Sequence, residues 1–70
     1  MNYPEFCAAA AKTGTTNRAL ARAIGISEQA LYNKLRGNSE FKNSEIKKIS
    51  KEMKLNLDAV NAIFFDNEVN

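Results

Sequence analysis

The sequence predicts a small all-α domain, and three observations lead to that prediction. The chain has 70 residues, which is enough for one domain and too few for two. Apolar residues recur at helical spacing in five segments, whereas no stretch shows the alternation typical of a strand. A composition of 44% hydrophobic and 26% charged residues is ordinary for a folded domain. We therefore expect one compact domain of five helices over residues 1–70.

The first helix is expected over residues 2–12. Asn2 can serve as its N-cap, and Glu5 stands where it would complete a capping box with Asn2. Gly14 is suited to a left-handed residue that ends the helix. Cys7 lies in an alanine-rich segment and is expected to be a small core residue.

The second and third helices are separated only by Gly25-Ile26-Ser27. We expect the second over residues 16–24 and the third over residues 27–35, with Thr16 and Ser27 as their N-caps. Two short helices joined by such a turn have the geometry of a helix-turn-helix, which ends here at Gly37. Ala21 should be buried where the third helix crosses the second, and Gly25 permits the sharp turn.

Two further helices are expected after a loop over residues 38–43. The fourth should be capped by Asn43 or Ser44, and the fifth by Asn56. Their expected inward residues are Ile46, Ile49 and Met53 in the fourth helix, and Leu57, Val60, Ile63 and Phe64 in the fifth. The lysines of the fourth helix and its end should form its solvated face: Lys47, Lys48, Lys51 and Lys54. Residues 67–70 should fray.

The net charge of +2 is unevenly distributed. Residues 12–54 hold all ten Lys and Arg and four of the eight Asp and Glu, a net charge of +6. Residues 1–11 contribute −1 and residues 55–70 contribute −3. A basic middle between acidic ends suits an anionic partner, although scattered lysines on an ordinary solvated surface would give the same count.

The composition excludes several classes of function. With no His, the chain cannot form a His-ligated metal centre or a Ser-His or Cys-His nucleophile pair. One Cys cannot close an intrachain disulfide. The uncharged run over residues 6–11 is too short for a signal-peptide core or a membrane span. We expect a cytoplasmic protein with no enzymatic activity, no cofactor, no metal and no membrane association.

The run from Thr16 to Gly37 resembles the helix-turn-helix of phage repressors and Cro proteins, the XRE-type group. The resemblance covers roughly residues 3–65. The later segments around Phe41, residues 45–49 and residues 63–65 are similar to short regulators from phages of low-GC Gram-positive bacteria. The resemblance implies a compact five-helix, lambda-repressor-like fold that binds operator DNA.

Two positions depart from the family pattern. Ala19 stands where many members have Glu, so the second helix lacks a capping box. In the third helix, the second apolar residue is Leu35, one position later than in the best-known repressors. Lys34 occupies the earlier position.

The resemblance implies that the helix over residues 28–35 lies in the major groove and presents its first residues to base edges. Gln29 and Asn33, one turn apart, can each bind adenine N6 and N7. Glu28 can accept a hydrogen bond from cytosine N4, and Tyr32 can offer its ring to a thymine methyl group or its hydroxyl to a phosphate. We expect these four residues to read bases.

A second group is expected to contact phosphates and to set register without reading sequence. The start of the second helix offers free backbone N–H groups, and the segment after the recognition helix offers cationic and amide side chains. The expected phosphate contacts are Thr16, Asn17, Ser27, Lys34, Arg36, Asn38 and Lys42.

Phe64 and Phe65 are the candidate protein interface. Adjacent residues on a helix point about 100° apart, so both rings cannot enter one small core. One ring is expected in the core and the other exposed or buried against a partner. A partner suits a protein too small to hold a full operator alone.

Two functional hypotheses remain open. The favoured one is a sequence-specific DNA-binding regulator that acts as a dimer on two half-sites. The alternative is an antirepressor, a domain of helix-turn-helix shape that binds another phage repressor. The low net charge, Glu28 at the tip of the recognition helix and the spare phenylalanine favour this alternative.

Overall fold

A computed structural model describes residues 1–65 and contains, within them, five α-helices and no strand. The helices are α1 (Tyr3–Thr13), α2 (Asn17–Ile24), α3 (Glu28–Leu35), α4 (Asn43–Glu52) and α5 (Leu57–Phe64). The predicted all-α fold of five helices is confirmed. The fraying expected at residues 67–70 lies outside the described residues. No helix between residues 1 and 65 is both long enough and apolar enough to cross a membrane.

Every helix contributes to one hydrophobic core. α2 packs against both α3 and α4, and α1 packs against α5. Leu20, Leu31 and Ile49 have no exposed surface, and Ala21 is 2% exposed, as expected for a small residue beneath a crossing helix. The buried apolar side chains are Phe6, Leu20, Ala21, Ile24, Leu31, Leu35, Ile49, Met53, Ile63 and Phe64.

Side-chain caps begin four of the five helices, as the sequence predicts. Asn2, Thr16, Ser27 and Asn56 each accept a hydrogen bond from the backbone N–H three residues later, at 2.8–3.1 Å. Each bond satisfies an N–H group that has no partner within the helix. These contacts are local, so the sequence alone specifies them.

The capping box expected at α1 does not form. The Asn2 N–H, which Glu5 would have satisfied, instead donates to the carbonyl of Ile63 at 2.7 Å. This bond joins the start of α1 to the last turn of α5. A tertiary contact has therefore replaced a local one.

The start of α4 also differs from the prediction. Its N-cap is Lys42, before either Asn43 or Ser44. The Lys42 N–H donates to Oε1 of Glu45 at 2.8 Å. A carboxylate in the first turn of α4 thus satisfies the backbone N–H of the N-cap residue. The N-cap therefore lies one residue before Asn43.

Two predicted core residues are exposed. Leu57 is 73% exposed because it begins α5, and the apolar residues that reach the core lie in later turns. Cys7 is exposed because its neighbour Phe6 faces the core, and consecutive helical residues point about 100° apart. The four lysines expected on the solvated face of α4 and its end are all exposed.

The end of α4 has a left-handed residue that is not glycine. Lys54 has φ +55°, and the N–H of Leu55 beyond it donates to the carbonyl of Ser50 at 2.9 Å. The equivalent positions after α1, α2 and α3 are occupied by Gly14, Gly25 and Gly37. A side chain in this conformation costs about 1 kcal/mol because Cβ crowds the following carbonyl.

We expect Lys54→Gly to raise the free energy of unfolding by about 0.5–1 kcal/mol, because glycine removes the Cβ crowding at φ +55°. Lys51→Gly is the matched control. Lys51 lies in the last turn of α4 with ordinary helical geometry, so glycine there should lower stability by about 1 kcal/mol. Chemical denaturation followed by circular dichroism measures both. Equal destabilisation by the two substitutions would contradict the strain at Lys54.

Candidate nucleic-acid interface

The turn between α2 and α3 is closed by one backbone carbonyl. The N–H groups of Gly25 and Ile26 both donate to the carbonyl of Ala21, at 2.9 and 3.0 Å. Gly25 has φ +88°, as the sharp turn requires, and Ile26 packs against the core. Ser27 then caps α3. Backbone hydrogen bonds hold the turn itself, and the packing of Ile26 and the Ser27 cap hold the residues that lead into α3. Together these contacts fix the orientation of α3 relative to α2.

α3 has one buried side and one exposed side. Leu31 and Leu35 are at most 4% exposed and face the core. At about 100° per residue, Gln29 lies on the opposite side of the helix. The residues on this exposed side are Glu28, Gln29, Tyr32 and Arg36, which are exposed, and Asn33, which is half-buried. All four predicted base-reading residues thus lie on this side.

Two amide side chains occupy the middle of the exposed side. Nε2 of Gln29 donates to Oδ1 of Asn33 at 3.4 Å. This distance is at the long end for a hydrogen bond, so the contact is weak and can be exchanged for another partner. The two residues together present amide donors and acceptors over one helical turn.

An aromatic–cation pair extends the same surface toward the end of α3. Cζ of Arg36 lies 5.3 Å from the centre of the Tyr32 ring, within the range of a cation–π contact. Tyr32 is 46% exposed, so the guanidinium is supported by an aromatic face and still reaches solvent. This contact limits the directions that Arg36 can take.

Lys34, one of the expected phosphate contacts, has its ammonium group engaged inside the fold. Its Nζ lies 3.2 Å from Oε1 of Glu45, donates to the carbonyl of Glu40 at 3.0 Å and lies 5.9 Å from the centre of the Phe41 ring. Its side chain is 13% exposed. It points roughly 140° around the helix from Gln29, toward the core. Lys34 fills the position of an apolar residue and finds its partner inside the fold.

Glu45 is a functional candidate that the sequence analysis missed. Burial raises the pKa of its carboxyl group, but hydrogen bonds from the Lys42 N–H and from Lys34, with the positive charges of both lysines, lower it more. The resulting pKa lies below the ordinary value of 4.5. The sequence signal that could have identified Glu45 is its place in the first turn of the helix that follows Lys34, which stands where the resemblance places an apolar residue.

The other expected phosphate contacts lie at three places. Thr16 and Asn17 begin α2, and Ser27 begins α3, where the hydroxyls of Thr16 and Ser27 already cap their helices. Arg36, Asn38 and Lys42 belong to the segment between α3 and α4. All six residues are exposed.

The two phenylalanines at the end of α5 separate as predicted. Phe64 is 9% exposed and meets Phe41 edge-on, with ring centres 5.5 Å apart, so it belongs to the core and not to a free surface. Phe65 is 49% exposed. It borders a groove of about 430 Å³ that Met1 and Ile46 also line. Phe65 alone remains as the candidate interface residue.

The described residues thus define a small helical domain in which a helix-turn-helix unit, α2 to α3, exposes a polar side of its second helix. The chain belongs to the DUF739 family, described as a protein of unknown function, whose model matches residues 7–67. The match includes the whole helix-turn-helix unit and the Lys34–Glu45 pair. No curated protein and no solved structure matches the chain. Within residues 1–65, no three His, Cys, Asp or Glu side chains are grouped to hold a metal ion.

The lowered pKa of Glu45 predicts an acid-sensitive contribution to stability. Because the pKa is lower in the folded state, the contribution is complete above the unfolded value of 4.5 and is lost as the pH falls through the folded value. Glu45→Gln should lower the free energy of unfolding by about 1–2 kcal/mol at pH 7. The difference from wild type should shrink from about pH 5 downward.

Glu40→Gln is the control for this pH profile, because the Glu40 carboxylate forms no ion pair within residues 1–65. Urea denaturation at a series of pH values measures all three proteins. A Glu45→Gln deficit that stays constant from pH 7 to pH 3 would show that the Glu45 carboxylate is not stabilised in the fold.

Proposed function

We propose that the chain is a sequence-specific DNA-binding regulator of transcription, of phage or prophage type, with no catalytic role. The observation that supports it is the polarity of α3, which buries Leu31 and Leu35 and exposes Gln29, Tyr32 and Asn33 on the other side. An α-helix fits the major groove, which is about 12 Å wide. The proposal also agrees with the resemblance of residues 16–37 to phage repressors.

In this proposal, the first half of α3 reads bases. Gln29 and Asn33 lie one turn apart and are already within hydrogen-bond distance of each other, so they would meet neighbouring base pairs. A bidentate amide contact to adenine contributes about 1–3 kcal/mol of discrimination. Tyr32 would contact a thymine methyl group from the flank, and Glu28 would accept from cytosine.

The remaining cationic and polar residues would bind the sugar-phosphate backbone. Arg36, braced on the Tyr32 ring, and Lys42, exposed at the start of α4, stand on the segment that follows the recognition helix. Thr16 and Asn17 at the N-terminus of α2 offer a second contact, because helix N-termini attract phosphate oxygens. Contacts at both ends of the helix-turn-helix would set the register of α3 in the groove.

The size of the domain favours a dimer. The described residues measure 33 × 25 × 20 Å. Half-sites read by two recognition helices lie about 34–36 Å apart, so one domain covers one half-site. Phe65 and the groove beside it would provide the contact between the copies. A regulator of this kind would act in the cytoplasm, by occluding a promoter.

A second candidate function is binding to another phage repressor protein in place of DNA. The specific observation in its favour is an exposed apolar side chain, Phe65, that borders a groove lined by Met1, Phe41 and Ile46. Glu28, exposed at the tip of α3, would face a basic surface of that repressor. Glu28→Lys should then break the complex.

Base reading by Gln29 predicts a sequence-dependent loss of affinity. Gln29→Ala should weaken binding to the cognate operator by about 1–3 kcal/mol and leave binding to a scrambled duplex nearly unchanged. Lys42→Ala should weaken both duplexes about equally and lower the slope of log K against log salt by about one unit. Fluorescence titrations at two salt concentrations measure both.

Equal losses for Gln29→Ala on the two duplexes would remove its base-reading role. If the wild type binds no fragment of its own locus, but binds the neighbouring regulator and loses that binding on Glu28→Lys, the antirepressor function is the correct one.

Association through Phe65 predicts that Phe65→Asp lowers the dimer fraction without loss of helicity, because a carboxylate would be buried in an apolar contact. Leu57→Asp is the matched control, since Leu57 is also exposed on α5 but at its other end. Light scattering gives the mass and circular dichroism the helix content. An unchanged mass for Phe65→Asp, alone and with the neighbouring regulator, would exclude this interface.

A further inference from the structure

We propose that Lys34 and Glu45 form a positioning pair that holds the segment between α3 and α4, residues 36–42, in the conformation in which it binds the DNA backbone. The effect of the pair on DNA binding rests on the proposed DNA-binding function. It assigns Lys34 and Glu45 a task in that function although neither would touch DNA.

The pair connects three parts of the chain. Lys34 is on α3, and its Nζ bonds both Oε1 of Glu45 on α4 and the carbonyl of Glu40 inside the segment. The same Oε1 accepts the N–H of Lys42 at the end of the segment. The other end is fixed by the N–H of Asn38, which donates to the carbonyl of Asn33 at 2.9 Å. The segment is thus fastened at its start, inside it and at its end.

The burial of the pair leaves it few other arrangements. The two side chains are 13% and 10% exposed, and the ammonium group lies 5.9 Å from the centre of the Phe41 ring. Two charges in such a place gain little net stability over apolar residues of similar size. Their geometry, however, is specific, because the ammonium and carboxylate groups must point at defined partners. The pair therefore contributes more to the shape of the segment than an apolar contact would.

The segment carries three of the expected backbone contacts, Arg36, Asn38 and Lys42. Contacts on a loop bind well when the loop is ordered before the partner arrives, because ordering then costs nothing at the moment of binding. A supporting group that holds such residues in place acts on all of them at once. Loss of the pair should weaken binding to cognate and scrambled DNA alike, since backbone contacts carry no sequence information.

Two substitutions that remove the same charge distinguish positioning from simple electrostatics. Glu45→Gln and Glu40→Gln each make the protein more positive by one unit, which by itself strengthens binding to DNA. Under the proposal, Glu40→Gln strengthens binding slightly, whereas Glu45→Gln weakens it about fivefold on both duplexes. The signs are opposite.

Substitutions at Lys34 complete the test. Lys34→Arg retains the ion pair and should keep near wild-type affinity. Lys34→Met should weaken binding at least as much as Glu45→Gln does, because it removes the pair and also one positive charge. The double variant should lose no more than Lys34→Met alone, because both substitutions remove the same pair. Circular dichroism confirms that each variant is folded at the temperature of the titrations. Stronger binding by Glu45→Gln, or additive losses in the double variant, would overturn the proposal, because Lys34 would then contact DNA independently.

Amide hydrogen exchange in the free protein tests the positioning role without DNA. The amides of Asn38 and Lys42 should be protected in the wild type, and Lys34→Met should remove this protection while the amides of α2 keep theirs. Fast exchange at Asn38 and Lys42 in the wild type would overturn the positioning pair, even if the protein binds its operator. Conversely, protected amides in a protein that binds no DNA would retain the pair and contradict the proposed function.

Discussion

The packing of α2 against both α3 and α4 is the constraint on which the rest of the structure depends. Ala21 contributes to this packing in two ways. Its side chain is small enough to be buried where the helices meet, and its carbonyl accepts both N–H groups that close the turn to α3. A larger residue would separate the helices and change the turn at the same time. The orientation of the polar side of α3 is therefore set by one small residue in the middle of the core.

Features that depend on neighbours in sequence could be predicted from the sequence, and they include most of the fold. Asn2, Thr16, Ser27 and Asn56 cap their helices through atoms three residues away. The split between Phe64 and Phe65 follows from the angle between consecutive helical residues. The exposed side of α3 could be predicted in the same way, because Leu31 marks the buried side and the exposed side lies opposite to it.

Two features that depend on tertiary contacts could not be predicted from the sequence. The Asn2 N–H has a partner 61 positions further along the chain, so the local capping box with Glu5 gave the wrong answer. Lys34 carries the positive charge expected of a phosphate contact. Only the position of α4 shows that this charge is already paired with Glu45. A long side chain can reach several partners. Hydrophobic periodicity therefore does not predict whether a Lys at the edge of a core faces solvent or a partner inside the fold.

The hydrogen bond from Asn2 to the carbonyl of Ile63 has a consequence for how the domain opens. Together with the packing of α1 on α5, it closes a loop of nearly the whole chain, which has a cost in chain entropy that grows slowly with loop length. α1 and α5 pack on each other, whereas α2 packs on α3, the next helix in the chain, and on α4, one helix further on. α1 and α5 are therefore the packed helix pair that lies farthest apart in sequence. Detachment of these two helices would expose Phe6 and Phe64 together and would also separate the Phe64 ring from Phe41, which lies between α3 and α4.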